Sequence, residues 1–290
     1  MTDGYQALGT PKTVLAGLIG SGIQLSRTPA MHEAEGAAHG LRYVYRLFDT
    51  DRMGTTPPPL ADLVRAAELS GFAGLNITYP YKIEVIDHLD ALSDNAQAIG
   101  AVNTVVFRDG KRFGHNTDLW GFGESFTQNF AGSAKDRVLQ IGAGGAGVAT
   151  AFAMMQRGVG HLVICDTSAA RAESLASAIA ARHGDGSISV ITNIADAGAV
   201  DGVVNATPVG MAKLPGSPFP LDRLTASMWV SDVIYFPLET ELVLAARAKG
   251  CKAVGGSDMA VFQAIRAFEL FSGVKADPQR MRQTFANLAG

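Results

Sequence analysis

The run Gly142-Ala143-Gly144-Gly145-Ala146-Gly147 meets a G-x-G-x-x-G template through Gly142, Gly144 and Gly147. Its setting gives the match weight: the apolar stretch VLQI precedes it as a strand, a small-residue helix from Val148 to Met155 follows, and Asp166 ends the next strand nineteen positions beyond Gly147. Glycine lets the backbone approach a pyrophosphate, and a helix N-terminus offers it unpaired N–H donors. The Asp166 carboxylate would then accept from ribose hydroxyls. A glycine-rich turn without a ligand is the alternative. Gly20-Ser21-Gly22 also looks glycine-rich but has Leu25 at the third template position, and no acid follows at the needed distance.

Four polar clusters lie at the ends of apolar strand-like segments nearer the N-terminus: Ser26-Arg27-Thr28-Pro29, Asn76 through Lys82, Ala101 through Thr104, and His115 through Asp118. In an open α/β sheet, ligands sit in the crevice beyond the carboxyl ends of the strands. Hydroxyls, amides, one lysine and one carboxylate gathered there would suit a small polyhydroxylated molecule. Each cluster also has a plainer reading. Thr28 before Pro29, and Asp118 before Leu119, each fit a helix N-cap. Asn76 fits a residue satisfying backbone groups in a turn. Lys82 fits a solvated lysine at the start of a helix, although a cation there opposes the macrodipole.

The elements needed to position these residues can be read from periodicity. Segments Val14 to Ile19, Met31 to Ala38, Tyr43 to Phe48, Leu60 to Leu69, Gly74 to Ile77 and Ile83 to Leu89 alternate strand-like and helix-like patterns, which indicates an α/β layer with parallel strands. Val102 to Phe107 and Arg112 to His115 flank Asp109-Gly110, a hairpin signal. A helix starts near Leu119, and the short polar stretch AGSAKD at 131–136 suits a boundary. A second α/β series follows, with strands at His161 to Cys165, Ile188 to Ile191, Gly202 to Asn205 and Trp229 to Asp232 and helices at Ser168 to Ala181 and Glu239 to Lys249. Val261 to Phe271 and a helix opened by Asp277-Pro278 end the chain.

Composition narrows the function classes. The 290 residues allow two cores, and 47% hydrophobic against 18% charged residues argues against disorder. Cys165 and Cys251 form neither a disulfide framework nor a metal-ligand spacing, so the expected compartment is a reducing cytoplasm. The six histidines form no ligand set, and no metal is expected. A formal charge of −3 without a basic stripe argues against nucleic acid. Residues 138–156 carry no formal charge, yet Gly142, Gly144, Gly145 and Gly147 within them favour a strand, turn and helix over a bilayer span.

The motifs together resemble the shikimate/quinate dehydrogenase family. The resemblance runs nearly end to end through LSRTPAMHEAEG, NITYPYK, GAVNTVV, GHNTD, GAGGAG, NATPVGM and DMAVFQA, and it is nearest the NAD-dependent quinate/shikimate dehydrogenases of actinobacterial type, which share S-R-T-P. It implies an α/β substrate-binding and catalytic domain (1–118), a Rossmann-like doubly wound NAD-binding domain (119–258), and C-terminal helices (259–290) returning to the substrate side. Ser26, Thr28 and Tyr235 would bind a substrate carboxylate, and Asn76, Thr78, Asn103 and Gln263 the ring hydroxyls. Lys82 and Asp118 match the catalytic pair. Thr207, Val233, Gly256 and Met259 would line the nicotinamide pocket, and Asp166 with Arg171 would complete the cofactor set.

The activity so implied is reversible oxidation of shikimate or quinate, a hydroxylated cyclohexene or cyclohexane carboxylate, with NAD. Lys82 is expected as proton acceptor and Asp118 as its orienter, in a monomer or homodimer. Thr167 stands where NADP-using relatives carry arginine, and Asp166 would repel a 2′-phosphate. Thr28 replaces the serine of many shikimate-specific relatives, Tyr79 stands where the family often has a smaller residue or histidine, and Asp258 where it usually has glycine or a cation. These departures bear on substrate choice. An enzyme for an aminoshikimate-like analogue, and a non-catalytic sensor of such acids, are the alternatives.

Overall fold

A computed structural model describes residues 11–288, so the outermost residues of the expected first and last segments lie outside the described residues. The chain divides into two compact units. One takes the chain up to Thr117 and again from Ala264, and the other runs Asp118–Gln263. Among the described residues no helix is long and apolar enough to cross a membrane.

The first unit is built from β1 (Thr13–Gly20), α1 (Thr28–Ala38), β2 (Arg42–Asp49), α2 (Leu60–Leu69), β3 (Gly74–Ile77), β4 (Ala91–Leu92), α3 (Asp94–Ile99), β5 (Thr104–Arg108) and β6 (Lys111–His115). Its mixed six-stranded sheet has the order β2-β1-β3-β5-β6-β4. β1 lies inside the sheet and is buried along nearly its whole length, as a strand covered on both faces must be. β2 forms the edge and starts in strict exposed–buried alternation. α2 buries Leu60, Leu63, Val64 and Ala67, one face of a 3.6-residue repeat, among Ile19, Leu75, Ile77 and Val105. Asp109 (φ 53) and Gly110 (φ 69) make the left-handed turn between β5 and β6 that the sequence signals.

Two local expectations change. The helix expected over Ile83 to Leu89 is a 3-10 turn at Glu84–His88, and only Val85 of it is buried, so no second apolar turn prolongs it. α3 escapes a reading by periodicity because it is six residues long, although its ends are marked. The Ser93 hydroxyl accepts from the Ala96 N–H at 3.3 Å and Gly100 takes φ 68.

The second unit contains α4 (Thr117–Phe130, opening one residue before the division), β7 (Arg137–Ile141), α5 (Gly145–Gln156), β8 (His161–Cys165), α6 (Ala169–His183), β9 (Ile188–Ile191), β10 (Gly202–Asn205), β11 (Trp229–Asp232), α7 (Glu241–Ala248), β12 (Lys252–Val254) and the start of α8 (Ser257–Ser272). Its six strands are all parallel in the order β12-β11-β10-β7-β8-β9, the doubly wound arrangement expected from the sequence. The order reverses between β7 and β10. Leu139, Val163, Val203, Val230 and Leu242 belong to its buried core.

The rest of α8 and α9 (Pro278–Asn287) belong to the first unit. Asp277 caps α9, accepting from the Gln279 and Arg280 N–H groups at 2.8 and 3.1 Å, as Asp-Pro at a helix start signals. Beneath α8, His32 is fully buried among Tyr43, Tyr45 and Phe268. Its Nδ1 lies 3.0 Å from the Tyr43 hydroxyl, Nε2 has no partner among the described residues, and burial pushes its pKa down to about 3.

Candidate active site

In the first unit, the carboxyl ends of β1 and β3 lie side by side, with Ile19 paired to Ile77. The chain leaves β1 toward β2 on one side, and β3 lies on the other, so this is a reversal point of the parallel strands. Both loops that carry polar clusters start here. The Ser21 N–H donates to the Tyr79 carbonyl at 3.0 Å, and a Cβ on Gly20 would come within 2.3 Å of Thr78 Cγ2, so glycine is what lets the loops approach.

The loop after β1 is held by the end of β2. Asp49 accepts from the Gly22 N–H at 3.0 Å and from Gln24 Nε2 at 2.8 Å, while Ser21 Oγ donates to Asp51 at 2.7 Å. Burial raises the Asp49 pKa, but the Gln24 amide and the Gly22, Asp51 and Ile23 N–H groups outweigh it and hold the carboxyl below its ordinary range. Farther along, Ser26 Oγ accepts from the Thr28 N–H at 3.4 Å. Thr28 is not the helix cap. Arg27 occupies that position in helical conformation, no side chain caps α1, and Thr28 is its first residue.

Asn76 and Asn103 belong to one buried network at the ends of β3 and β5. The Tyr45 hydroxyl donates to Asn76 Oδ1 at 2.7 Å, and Asn76 Nδ2 donates to the Asn103 carbonyl at 3.3 Å and Thr104 Oγ1 at 3.0 Å. Both amide protons of Asn76 are thus engaged. Asn103 Oδ1 accepts from the Thr117 N–H at 2.7 Å and from the hydroxyls of Thr117 and Thr104, each at 3.1 Å. No described residue accepts from its Nδ2. Lys82, half-buried, sits in the turns before the 3-10 segment, and its carbonyl accepts from the Val102 N–H at 2.8 Å, next to Asn103. A five-residue 3-10 segment is too short for the macrodipole argument applied to Lys82.

The second unit carries Asp118, half-buried in the first turn of α4 and one residue past its start, so it is not a cap. Gly121 brings α4 against α8: a Cβ there would meet Gln263 N at 2.7 Å and the Met259 carbonyl at 2.8 Å. Gln263 is half-buried, its Nε2 donating to the Ala260 carbonyl at 3.1 Å.

The three template glycines serve different purposes. Gly142, at φ 104, turns the chain out of β7, and its space ends 2.7 Å away at the Ala206 carbonyl, beside Thr207. Gly147 lets the first turn of α5 close onto that loop, since a Cβ would lie 2.3 Å from the Gly142 carbonyl oxygen. Gly144 and Gly145 face nothing within 4 Å, the open cradle a dinucleotide phosphate needs. Gln140, fully buried, locks the loop: its Nε2 donates to the carbonyls of Gly142 and Gly147, both at 2.8 Å, and its Oε1 accepts from Thr150.

Asp166 is a strut of this loop as well as a ribose candidate. It accepts from the N–H groups of Ala143 and Ser168, each at 2.7 Å, and from Arg171 Nη2 at 2.9 Å. Burial pushes its pKa up, but the Ser168 and Ala143 N–H groups and Arg171 outweigh that and hold the carboxyl below its ordinary range. After β10, the Thr207 N–H and hydroxyl donate to Asn205 Oδ1 at 2.9 and 2.7 Å. Asn205 Nδ2 in turn donates to both oxygens of buried Asp232, which also accepts from the Ile234 N–H and the Thr240 hydroxyl. Burial, outweighing those bonds, raises the Asp232 pKa. Gly256 packs against Val233, where a Cβ would lie 2.1 Å from the carbonyl oxygen. Tyr235 follows on an exposed loop.

Sequence reasoning passed over Gln140, Asp232, Thr104, Thr117 and Asp49. The signal for the first was a polar residue inside the apolar run VLQI, and for the second a carboxylate at the buried end of the strand WVSD. Thr104 and Thr117 stood inside quoted motifs without a role of their own.

Residues 18–105 match the profile of the shikimate dehydrogenase substrate binding domain, and 256–284 that of the shikimate 5′-dehydrogenase C-terminal domain. A shikimate dehydrogenase (NADP(+)) of Streptomyces avermitilis is 50% identical over 287 residues, covering 97% of this chain and 98% of that one. A quinate/shikimate dehydrogenase (NAD(+)) of Corynebacterium glutamicum is 47% identical over 280 residues, with 95% and 99% covered. The solved quinate dehydrogenase from Corynebacterium glutamicum in complex with NAD matches with a TM-score of 0.92 at 47% identity, over 95% of this chain and 99% of that one.

Proposed function

The chain belongs to the shikimate/quinate dehydrogenase family, and from that premise we propose that it reversibly oxidises a ring hydroxyl of shikimate or quinate, with NAD as its preferred electron acceptor. The observation that carries the substrate half is the buried network of Tyr45, Asn76, Thr104, Asn103 and Thr117. It fixes Asn103 while leaving its Nδ2 protons for a ligand hydroxyl. Thr78 and Gln263 join Asn103 on the ring hydroxyls, and Asn76, its amide protons engaged, offers them the second lone pair of its Oδ1. Ser26, Thr28 and Tyr235 take the carboxylate, a role for which the Thr28 hydroxyl is not diverted by capping.

When bound, NAD supplies a hydride acceptor. The protein has to orient the alcohol carbon and remove the hydroxyl proton, and we assign the proton to Lys82 Nζ and the orienting role to Asp118. The glycine loop from Gly142 to Gly147, with Ala143 and Ala146, holds the pyrophosphate; Thr207, Val233, Gly256 and Met259 line the nicotinamide. Asp166 supports NAD over NADP because three donors fix its carboxylate and keep it ionised, and a fixed anion repels a 2′-phosphate. Arg171 offsets this only in part, since its side chain is largely exposed and its charge is screened by water.

One experiment tests the whole reading: kcat/KM on shikimate and quinate, each with NAD and NADP, followed at the absorbance of the reduced nicotinamide. Both acids are expected to be oxidised, and NAD to win clearly. Equal or better use of NADP overturns the cofactor assignment. Turnover confined to an amino-substituted analogue, or tight binding of the acids without turnover, overturns the substrate assignment.

A further inference from the structure

Helix α9 lies antiparallel along α1 and is fastened to it at both ends. At one end Glu35, whose side chain is fully buried, accepts from Arg280 Nε at 2.7 Å, Arg280 Nη2 at 3.2 Å, the Asp277 N–H at 2.8 Å and His39 Nε2 at 2.9 Å. At the other end the Arg27 guanidinium carbon sits 4.7 Å from the centroid of the Phe285 ring, and Arg27 Nη1 donates to the Phe285 carbonyl at 3.3 Å. Met281 is buried between these ends, and Phe285 is buried at the second of them.

The two fastenings are in register. Arg27 precedes Glu35 by eight residues, and Phe285 follows Asp277 by eight. At about 1.5 Å per residue, both spacings are roughly 12 Å, so neither contact strains the other. The Phe285 carbonyl lies in the last turn of α9, where carbonyls lack partners within the helix and a cation is favoured. Arg27 therefore meets a ring face and a helix C-terminus at once.

Arg27 also sits between Ser26 and Thr28. It occupies the cap position of α1 without a capping side chain, so the entry of the chain into the helix is held locally only by the Ser26 N–H on the Ile23 carbonyl at 3.0 Å and the long Thr28 N–H bond to Ser26 Oγ at 3.4 Å. Upstream, Asp49 and Asp51 hold Ser21, Gly22 and Gln24. Downstream of those, Arg27 ties the segment to another element, through Phe285.

We propose that Arg27 is a positioning residue whose clamp on Phe285 makes the C-terminal helix set the geometry of the Ser26–Thr28 carboxylate site. The proposal rests on the reading that Ser26 and Thr28 bind the substrate carboxylate. Neither Arg27 nor Phe285 touches the reacting atoms. Loosening the clamp weakens binding of the acid and leaves the dinucleotide unaffected.

The test is a double-mutant cycle with Arg27→Ala, Phe285→Ala and the pair, alongside Ser26→Ala and the milder Arg27→Lys and Phe285→Leu, reading KM for the acid, KM for the dinucleotide, kcat and the melting temperature. Each single change is expected to raise the KM for the acid about 10-fold, with kcat and the dinucleotide KM within about twofold. The pair is expected to be no worse than either single change, because one clamp is lost once. Arg27→Lys keeps the charge but not the planar fork, and should recover only part of the loss. An unchanged KM for the acid, multiplied effects in the pair, or a dinucleotide KM that rises in step overturns the proposal. If Arg27→Ala or Phe285→Ala fails to fold, Arg27→Lys and Phe285→Leu decide it by the same criteria. Ser26→Ala separates the two layers. If it leaves the KM for the acid unchanged, the carboxylate reading has failed; if it raises that KM while the Arg27 variants do not, the clamp alone has failed.

Discussion

Replacing Gly144 and Gly147 separately with alanine should break the glycine loop in two different ways. At Gly147 the new Cβ would lie 2.3 Å from the Gly142 carbonyl oxygen and 3.2 Å from Gln140 Nε2. Neither can retreat freely, since Gln140 Nε2 bonds both Gly142 and Gly147. Overpacking of this kind costs about 1–3 kcal/mol, and a loosened Gln140 bond adds about 1 kcal/mol. At about 2–4 °C per kcal/mol, Gly147→Ala should melt roughly 5–15 °C below the parent. Gly144 has φ −77 and ψ −169, extended backbone that alanine adopts, and a Cβ there meets nothing within 4 Å. At its cap position alanine is worse than glycine by about 0.5–1 kcal/mol, roughly 1–4 °C. Its cost appears with ligand, because the methyl enters the space a pyrophosphate would take. Weakening by about 1–3 kcal/mol is about 5- to 150-fold in Kd. Circular-dichroism melts and fluorescence titration with NADH measure the two effects. Gly144→Ala binding NADH within about twofold of the parent would refute the pyrophosphate cradle, and Gly147→Ala melting with the parent would refute the packing argument.

Lys82→Ala should lower kcat by about 10²–10⁴-fold with little change in NADH affinity, and near-parental turnover in the folded variant would move the proton to another group. Thr28→Ser should shift the quinate-to-shikimate ratio of kcat/KM toward shikimate, within the roughly 1–3 kcal/mol that one methyl commands; an unchanged ratio would remove Thr28 from the specificity determinants. Acid stability should report His32, whose pKa falls from 6.5 to about 3 on folding through burial. Between those values the unfolded chain binds more protons at this site, so stability drops as pH falls, by about 2 kcal/mol at pH 5 relative to neutrality. Urea midpoints against pH should show this slope in the parent and a shallower one in His32→Phe, where His115, also held below its ordinary range by burial, still contributes; an equal slope in both proteins would assign the acid sensitivity elsewhere.

The features legible in the sequence were those whose cause lies within a few residues. Asp109-Gly110 announced a left-handed turn and takes it, Asp277-Pro278 announced a capped helix and opens α9, and the glycine loop between VLQI and a small-residue helix announced the start of a parallel doubly wound sheet. Caps, turns and periodicity are local physics, so local sequence encodes them. Short elements were harder: α3 has caps but too few residues for a period, and the segment after Lys82 carries helix-forming residues without a second buried turn.

What only the tertiary structure decided is which buried polar groups meet. Asn205 and Asp232 stand twenty-seven residues apart and become neighbours because β10 pairs with β11, so the support of Thr207 by a buried carboxylate depends on strand order. Asn76 was legible as a polar residue at a strand end, but its partners Tyr45 and Thr104 come from elements on either side in the chain. Glu35 and Arg280 are separated by 245 positions, and nothing near either residue names the other. Local spacing fixes which side chains an element can present. Which of those donors and acceptors satisfy one another is set by how strands and helices pack, because a buried polar group must find its partner wherever the fold brings one.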